Sequence, residues 1–157
     1  GLYQNMKNPF FNQKIIKWRN RFGAKSINRQ NRLFDLIREI RKGNFVVIAP
    51  DIDLGPKDSV FVPFFGIQTN TITAISRLAR ACNAEVCLMI TTLNTDRNKY
   101  ICHIERALEH FPSDDPVADT ARLNRCFEDE IRQRPAEYYW VHKRFKYRPP
   151  GEANLYD

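Results

Sequence analysis

The sequence predicts an α/β fold in which helices flank a mixed sheet. Short apolar runs rich in β-branched and aromatic residues, bounded by Pro, Gly and polar turns, are typical of strands. Between these runs, apolar residues recur every three or four positions, which is the period of a helix. Because the two patterns alternate along 157 residues, we expect a single domain, residues 1–157, with a buried core.

The first third of the chain predicts two helices with a short strand between them. Asn8 and Pro9 supply an N-cap and a first helical residue, and Gly23 supplies a stop. The apolar face of this helix consists of Phe11, Ile15, Trp18 and Phe22, beside a basic stripe of Lys14, Lys17 and Arg21. Such a face suits a membrane interface, but we expect the ordinary alternative, packing on the core. A strand at 25–28 and a helix at 30–42 follow.

The stretch NFVVIAPDIDLGPKDSVFVPFFG, residues 44–66, organises the rest of the chain. It predicts a buried strand at 45–49 that Pro50 stops, then a polar loop, and then a second apolar strand at 60–65. Two short apolar strands that flank a polar loop would place that loop at the rim of the core.

The polar loop carries the first candidate functional residues. Asp51 and Asp53 are two residues apart, so in an extended segment their side chains face one space. Carboxylates and Lys57 at the mouth of buried strands predict a binding site. The alternative is that the two aspartates cap turns and pair with surface arginines, since turns favour Asp for backbone reasons.

The remaining two thirds continue the alternation of helices and strands. The predicted elements are a helix at 71–82, a hairpin of strands 84–93 and 100–107, and a helix from Asp115 and Pro116 to about residue 134, where Pro135 ends it. The tail YYWVHKRFKYRPPG interleaves aromatic and basic residues.

The positive charge of the chain is concentrated at one end. The formal net charge is +7, but residues 1–50 carry 11 Lys and Arg against 2 Asp and Glu, whereas the rest carries 14 against 16. A basic patch of this kind suits an anionic membrane, a phosphorylated substrate or a nucleic acid. It can also be a solvated face without a partner. No apolar run approaches the roughly 18 residues of a membrane span, and nothing resembles a signal peptide.

Neither the spacing of the cysteines nor any common catalytic motif predicts a metal or nucleotide site. Cys82, Cys87, Cys102 and Cys126 show no C-x-x-C spacing. We expect reduced core residues, with a zinc site as the weaker alternative. The chain contains no Gly-rich phosphate loop and no G-x-S-x-G elbow, so no cofactor is expected.

One spacing imitates a catalytic pair. His110 and Asp115 have the form H-x-x-x-x-D, in which a carboxylate can orient a histidine that acts as a general base. Prolines flank the pair, however, and Asp115 is also the expected N-cap of the last helix. We therefore interpret the pair as a decoy.

Four segments of this chain, taken in order, resemble a known family. They are KNPFFNQKIIKWRNRFG, APDIDLGPKDSVFVPFFG, the Thr-rich run that ends in LAR at residues 71–80, and PAEYYWVHKRFKYRPPG. Together they resemble the bacterial lipid A biosynthesis acyltransferases, the lauroyl/myristoyl transferases, and the resemblance covers nearly the whole chain. It matches only the C-terminal half of a family member.

The resemblance implies a fold and a reaction. The fold would be the glycerol-phosphate acyltransferase-like α/β type, incomplete here. The reaction would move an acyl chain from acyl carrier protein to a hydroxyl of a phosphorylated lipid A precursor, at the cytoplasmic face of the inner membrane. The family's catalytic H-x-x-x-x-acid motif and its membrane anchor would lie upstream of residue 1, which leaves no catalytic residue in this chain.

The resemblance also suggests roles for particular residues. Arg19 and Arg21 fall in the arginine-rich acceptor-binding segment, where guanidinium groups would hold a phosphate or sugar acid. Asp51 and Asp53 would orient those arginines or bind the acceptor, and Lys57 would meet its anionic groups. Thr71 and Thr73 would line the acyl groove, although a threonine at a helix start is often only a cap.

Two rival interpretations remain open at this stage. The first is a non-catalytic module that binds anionic lipid or a membrane surface. The second is nucleic-acid binding, suggested by the basic first third and the aromatic tail. No recognition-fold signature supports the second, so we expect no nucleic-acid partner.

Overall fold

The computed structural model describes residues 1–3, 5–28, 33–53 and 55–156. They form two compact units, one of residues 1–49 and one of residues 50–157. Both contain helices and strands, which confirms the α/β class. In the described part of the chain the strands form three separate two-stranded sheets, so the expectation of one mixed sheet is wrong. An apolar run can indicate a strand, but it does not indicate the strand with which it pairs.

The first unit consists of two short helices and one parallel strand pair. Its elements are β1 (Leu2–Tyr3), α1 (Pro9–Arg19), β2 (Ile27–Asn28) and α2 (Leu33–Arg41), with β1 paired to β2. Asn8 caps α1 as predicted, because its Oδ1 accepts hydrogen bonds from the backbone N–H of Phe10 and Phe11 at 2.9 and 3.3 Å. The helix ends four residues before Gly23, with Asn20 as its C-cap.

Two predictions for the first unit are wrong. Residues 45–49 form no strand, and the Phe45 side chain is 91% exposed. An apolar run becomes a strand only where a neighbour satisfies its backbone groups, and none of the described strands does so here. The apolar face of α1 does not enter a core either, since the helix contains no buried residue.

The second unit begins with a tight hairpin. Strands β3 (Ser59–Phe64) and β4 (Ile67–Ile72) pair antiparallel from Phe64 opposite Ile67 to Ser59 opposite Ile72. The two linking residues, Phe65 and Gly66, both have positive φ, 50° and 78°, as a type I′ turn requires. Phe65 is an unusual residue there, but its backbone N–H donates to the Glu128 carboxylate at 2.8 Å.

The other elements of the second unit follow the predicted order with shifted bounds. They are α3 (Ala74–Cys82), the antiparallel hairpin of β5 (Met89–Asn94) and β6 (Lys99–Ile104), α4 (Pro116–Gln133) and a 3-10 turn at Pro135–Glu137. The helix predicted from residue 71 starts at Ala74, because residues 67–72 belong to β4. Asp115 caps α4 as predicted, accepting from the backbone N–H of Val117 and Ala118 at 2.8 and 3.1 Å.

Helices α3 and α4 pack together around a small apolar core. Ala79, Phe111 and Leu123 are its buried members. A buried hydrogen bond of 2.5 Å joins the Ser76 hydroxyl of α3 to the Asp119 carboxylate of α4. Helix α4 also reaches β3, since the Asn124 amide donates to the Pro63 carbonyl at 2.9 Å. Among the described residues, no helix has both the length and the apolarity to cross a membrane.

Candidate functional site

Strand β4 presents polar side chains to the interior. Thr69, Asn70 and Thr71 are consecutive and all at most 2% exposed. Successive side chains of a strand point to opposite faces, so both faces of β4 are covered. Three adjacent buried polar residues require three sets of partners, and those partners form the candidate site.

The aspartate loop, residues 50–53 and 55–58, contacts β4 through Asn70. The Asn70 amide nitrogen donates to the Asp53 carboxylate at 3.0 Å and to the Gly55 carbonyl at 2.8 Å. Its oxygen accepts from the Ser59 hydroxyl at 2.5 Å. The Asp53 carboxylate also accepts from the Gly55 backbone N–H at 3.0 Å, which closes the turn. Asp53 therefore caps a turn, as the alternative interpretation expected.

The C-terminal segment, residues 138–148, holds the other side of the aspartate loop. The Asp53 backbone N–H donates to Nε2 of His142 at 2.9 Å. The second carboxylate oxygen of Asp53 accepts from the Tyr147 backbone N–H at 3.3 Å. Asp53 is thus bonded to residues that lie 89 and 94 positions further along the chain. Asp53 therefore bonds the loop to β4 on one side and to the C-terminal segment on the other.

Arg144 is the buried cation of this site. It is 1% exposed, and its guanidinium donates to the Asn70 carbonyl at 2.6 Å and to the Thr71 hydroxyl at 2.7 Å. The same group lies 5.3 Å from the ring centroid of Phe64, a cation–π distance. Removal from water lowers the pKa of Arg144, while Tyr138 and the two loop carboxylates, Asp51 and Asp53, act to raise it.

Asp51 meets the C-terminal segment through Tyr138. Burial raises the pKa of the Tyr138 hydroxyl, and the charge of Asp51 and its hydrogen bond to that hydroxyl raise it further. Tyr138 therefore stays protonated as a hydrogen-bond donor to a half-buried carboxylate. The charges of Asp51 and Asp53 both act on Arg144, and that the two aspartates face one space stays a prediction.

Aromatic rings pack beneath this polar network. The Phe64 ring lies 6.2 Å from Tyr138 and 6.1 Å from Phe145, and Tyr138 lies 4.8 Å from Trp140. The Tyr156 hydroxyl accepts from the Phe145 backbone N–H at 3.0 Å. Tilted and edge-on ring pairs of this kind add stabilisation beyond the burial of area, so they help to hold the C-terminal segment beside the aspartate loop.

The structure places the other predicted residues of this unit at or beside the network. Thr71 is buried and accepts from Arg144, and its hydroxyl donates to the Thr69 carbonyl at 3.1 Å. Thr73 is 8% exposed and occupies the N-cap position of α3 without a capping bond, its hydroxyl donating instead to the Asp58 carbonyl at 3.3 Å. Lys57 is exposed at the outer end of the aspartate loop.

The two predicted arginines lie in the first unit. The Arg19 guanidinium donates to the Leu2 carbonyl at 3.2 Å. The Arg21 guanidinium lies 5.1 Å from the centroid of the Phe22 ring. Both side chains are exposed. Within the second unit, the arginine on which the charges of the two aspartates act is Arg144, which the sequence interpretation assigned to no role.

The remaining sequence predictions for this unit concern a histidine–acid pair, a metal site and the cysteines. The Asp115 carboxylate caps α4, and the interpretation of His110 and Asp115 as a decoy stays a prediction. The described residues contain no group of three or more His, Cys, Asp or Glu able to hold a metal. All four cysteines are unpaired, but Cys87 and Cys102 are exposed, so their prediction as core residues is wrong.

Sequence reasoning missed the residues that complete the network. These residues are Asn70, Tyr138, His142, Arg144 and Tyr147. The signal available was the quoted segment PAEYYWVHKRFKYRPPG, whose basic residues look alike in the sequence. Arginine is rarely buried in full, so nothing local distinguishes Arg144 from its exposed neighbours.

Comparison with known proteins identifies the family. The profile of bacterial lipid A biosynthesis acyltransferases matches residues 1–147. The chain is 34% identical over 166 residues to the lipid A biosynthesis palmitoleoyltransferase of Escherichia coli (strain K12), covering 99% of this chain and 53% of that protein. It is 33% identical over 161 residues to the lipid A biosynthesis lauroyltransferase of the same strain, covering 99% and 51%.

A third relative comes from another organism. The identity is 32% over 157 residues with a lipid A biosynthesis acyltransferase of Haemophilus influenzae, covering 100% of this chain and 48% of that protein. The chain spans about half the length of these relatives. The match extends through both compact units and includes the aspartate loop and most of the C-terminal segment. The chain belongs to the bacterial lipid A biosynthesis acyltransferase family.

Proposed function

We propose that the complete protein transfers a fatty acyl chain from acyl carrier protein to a hydroxyl of a phosphorylated lipid A precursor. Residues 1–157 would form part of a single acyltransferase domain of the glycerol-phosphate acyltransferase-like type, at the cytoplasmic face of the inner membrane. The observation that carries this proposal is the similarity of 99% of the chain to enzymes named as lipid A acyltransferases.

The reaction requires a base and a held acceptor. A histidine–acid pair elsewhere in the complete protein would remove the proton of the acceptor hydroxyl. The oxygen would attack the thioester carbonyl, an ester bond would form, and the carrier thiol would leave. We assign the holding of the acceptor to this chain, which carries the predicted binding residues.

The aspartate loop suits a hydroxyl-rich ligand. A carboxylate offers about four lone-pair positions, and Tyr138 occupies one of those of Asp51 in the described contacts. The remaining positions can accept hydrogen bonds from sugar hydroxyls. Exposed Lys57 on the same loop would attract the acceptor's phosphate groups.

Arg19 and Arg21 would supply charge-assisted hydrogen bonds to phosphate. Arg21 is the sharper candidate, because its described contact is an aromatic ring rather than a backbone carbonyl. Thr71 and Thr73 would act from beneath the site, Thr71 through Arg144 and Thr73 through the carbonyl of Asp58. Both would shape the acyl groove by fixing β4 and the start of α3.

The test compares Arg21→Ala with the wild type in the product of the complete native gene. We expect KM for the glycolipid to rise by roughly tenfold or more, the worth of a hydrogen bond to a charged group. KM for the acyl carrier thioester and the melting temperature should stay unchanged.

The matched control for this test is Arg38→Ala. Arg38 is an exposed arginine of the same unit that pairs with Asp35 at 3.4 Å. Its substitution should leave both KM values unchanged. A parallel loss of melting temperature and activity in Arg21→Ala would contradict the binding role.

A further inference from the structure

A stretch of the first unit exposes large apolar side chains in unusual number. Residues 6–22, called here the α1 surface, contain Met6, Phe10, Phe11, Trp18 and Phe22 at 47, 62, 56, 66 and 87% exposure. Soluble proteins tolerate single exposed apolar residues, but contiguous groups mark interaction sites. The α1 surface therefore has the features of an interaction site.

The helix turns one side inward and the other outward. Ile15 and Ile16 are half-buried, and Arg19 on the same side reaches the Leu2 carbonyl of β1. Lys14 and Lys17 follow Phe10 at the spacing that shares its helical face. The exposed side of α1 thus mixes aromatic rings with lysines.

The basic residues of the α1 surface are available to a partner. Residues 1–34 contain no Asp or Glu. The two acids of the first unit, Asp35 and Glu39, already pair with Arg38, Lys25 and Lys42. Among the described residues, none of those ion pairs includes a lysine or arginine of the α1 surface. Four exposed cations of this surface, at positions 7, 14, 17 and 21, have no ion pair among the described residues, whereas Arg19 lies on the inward side.

The cations and the rings lie together rather than on separate faces. The Lys14 ammonium is 5.5 Å from the centroid of the Phe10 ring, and the Arg21 guanidinium is 5.1 Å from that of Phe22. Long basic side chains can extend along an apolar surface with their charges at its rim. Trp and other amphipathic rings favour the headgroup level of a bilayer, where the phosphates also lie.

We propose that the α1 surface docks on an anionic phospholipid bilayer. The rings of residues 10, 11, 18 and 22 would enter the headgroup region, and Lys14 and Lys17 would contact lipid phosphates. Charge complementarity favours a lipid surface. An acidic protein partner would need carboxylates at fixed positions opposite the lysines, whereas the mobile headgroups of a bilayer can pair with the lysines wherever they lie. Exposed Met6 and Phe22 favour lipid over nucleic acid, whose contacts are mostly polar.

This inference deepens the proposed function and rests on it for the setting at a membrane. Vesicle binding needs neither acyl donor nor glycolipid, so the two proposals can fail separately. Loss of vesicle binding with intact acyl transfer would overturn the inference alone. Vesicle binding without acyl transfer would overturn the proposed function alone.

The test measures binding of the chain to vesicles of phosphatidylcholine alone and of phosphatidylcholine with phosphatidylglycerol. The chain has two tryptophans, Trp18 and Trp140, so a Trp140→Phe background makes Trp18 the only reporter. We expect binding to the anionic vesicles with a blue shift of Trp18 emission, weakened by added salt. Replacing Lys14 and Lys17 by Gln should lower affinity roughly 30-fold.

The matched control removes two cations elsewhere. Arg97→Gln with Lys99→Gln removes two exposed cations at the tip of the β5–β6 hairpin, and it should leave vesicle affinity within about twofold. Phe10→Ala with Phe11→Ala should weaken binding and reduce the blue shift, and circular dichroism verifies that each variant is folded. Equal binding to neutral and anionic vesicles would overturn the proposal, as would duplex DNA binding that Lys14 and Lys17 control in the absence of vesicle binding.

Discussion

Arg144 shows how one residue connects segments that are far apart in the sequence. Its guanidinium joins β4 to the C-terminal segment by two hydrogen bonds, and its charge offsets those of Asp51 and Asp53. Taking a cation out of water costs free energy that its hydrogen bonds and nearby opposite charges offset, so removal of one member of such a group is strongly destabilising. The geometry of the aspartate loop therefore depends on a side chain outside the loop.

Replacing Arg144 by Met should destabilise the protein strongly. The change removes the hydrogen bonds that Arg144 donates to the Asn70 carbonyl and the Thr71 hydroxyl, and it removes the charge that offsets those of Asp51 and Asp53. We expect the free energy of unfolding to fall by about 3 kcal/mol, measured by urea denaturation. Lys146→Met, two residues along at an exposed position, should change it by less than about 0.5 kcal/mol. Equal effects of the two substitutions would contradict the assigned role.

The type of a residue predicts its hydrogen bonds in a turn more reliably than it predicts whether its side chain is buried. Asp53 was predicted both as a site residue and as a turn cap, and the cap is visible in its bond to Gly55. Burial of Arg144 could not be predicted, because it depends on β4 and Phe64, which lie about 70–80 residues away. The local sequence pattern predicts hydrogen bonds between residues close in the chain. Contacts between residues far apart in the chain determine which charged side chain is buried.

At the scale of elements, capping residues predicted the starts of α1 and α4, whereas the start of α3 and the strands were predicted less well. Asn8 and Asp115 cap α1 and α4 as their sequences indicate. Strand β4 was missed because its turn uses Phe65 where Asn or Asp is common; contacts with Glu128 and Arg132 hold that residue in place. The strand predicted at 45–49 failed because apolar composition specifies no partner.

Substitutions of Asp115 separate capping from catalysis. Asp115→Ala removes the acceptor of two backbone N–H groups and should lower the free energy of unfolding by about 1 kcal/mol. Asp115→Asn keeps an N-cap oxygen while removing the acid, so both stability and the activity of the complete protein should be retained. Thermal denaturation and an acyl transfer assay measure the two properties. Loss of activity in Asp115→Asn, with stability intact, would restore His110 and Asp115 as a catalytic pair.

At the scale of the whole molecule, the family was predictable from the sequence and the site only in part. The quoted segments identify the family because they are long and ordered, and the profile match over residues 1–147 confirms it. The α/β class was also predictable. The pairing of the aspartate loop with the C-terminal segment was not, since Asp53 and His142 carry no sequence sign of their contact.

The most direct test of the proposed function is mass spectrometry of the glycolipid product. The complete native gene product would be incubated with acyl carrier thioester and a phosphorylated lipid A precursor. The account predicts a glycolipid heavier by one ester-linked acyl chain, with free carrier thiol formed in equal amount. An unchanged glycolipid, with folded protein and intact thioester, would contradict the account.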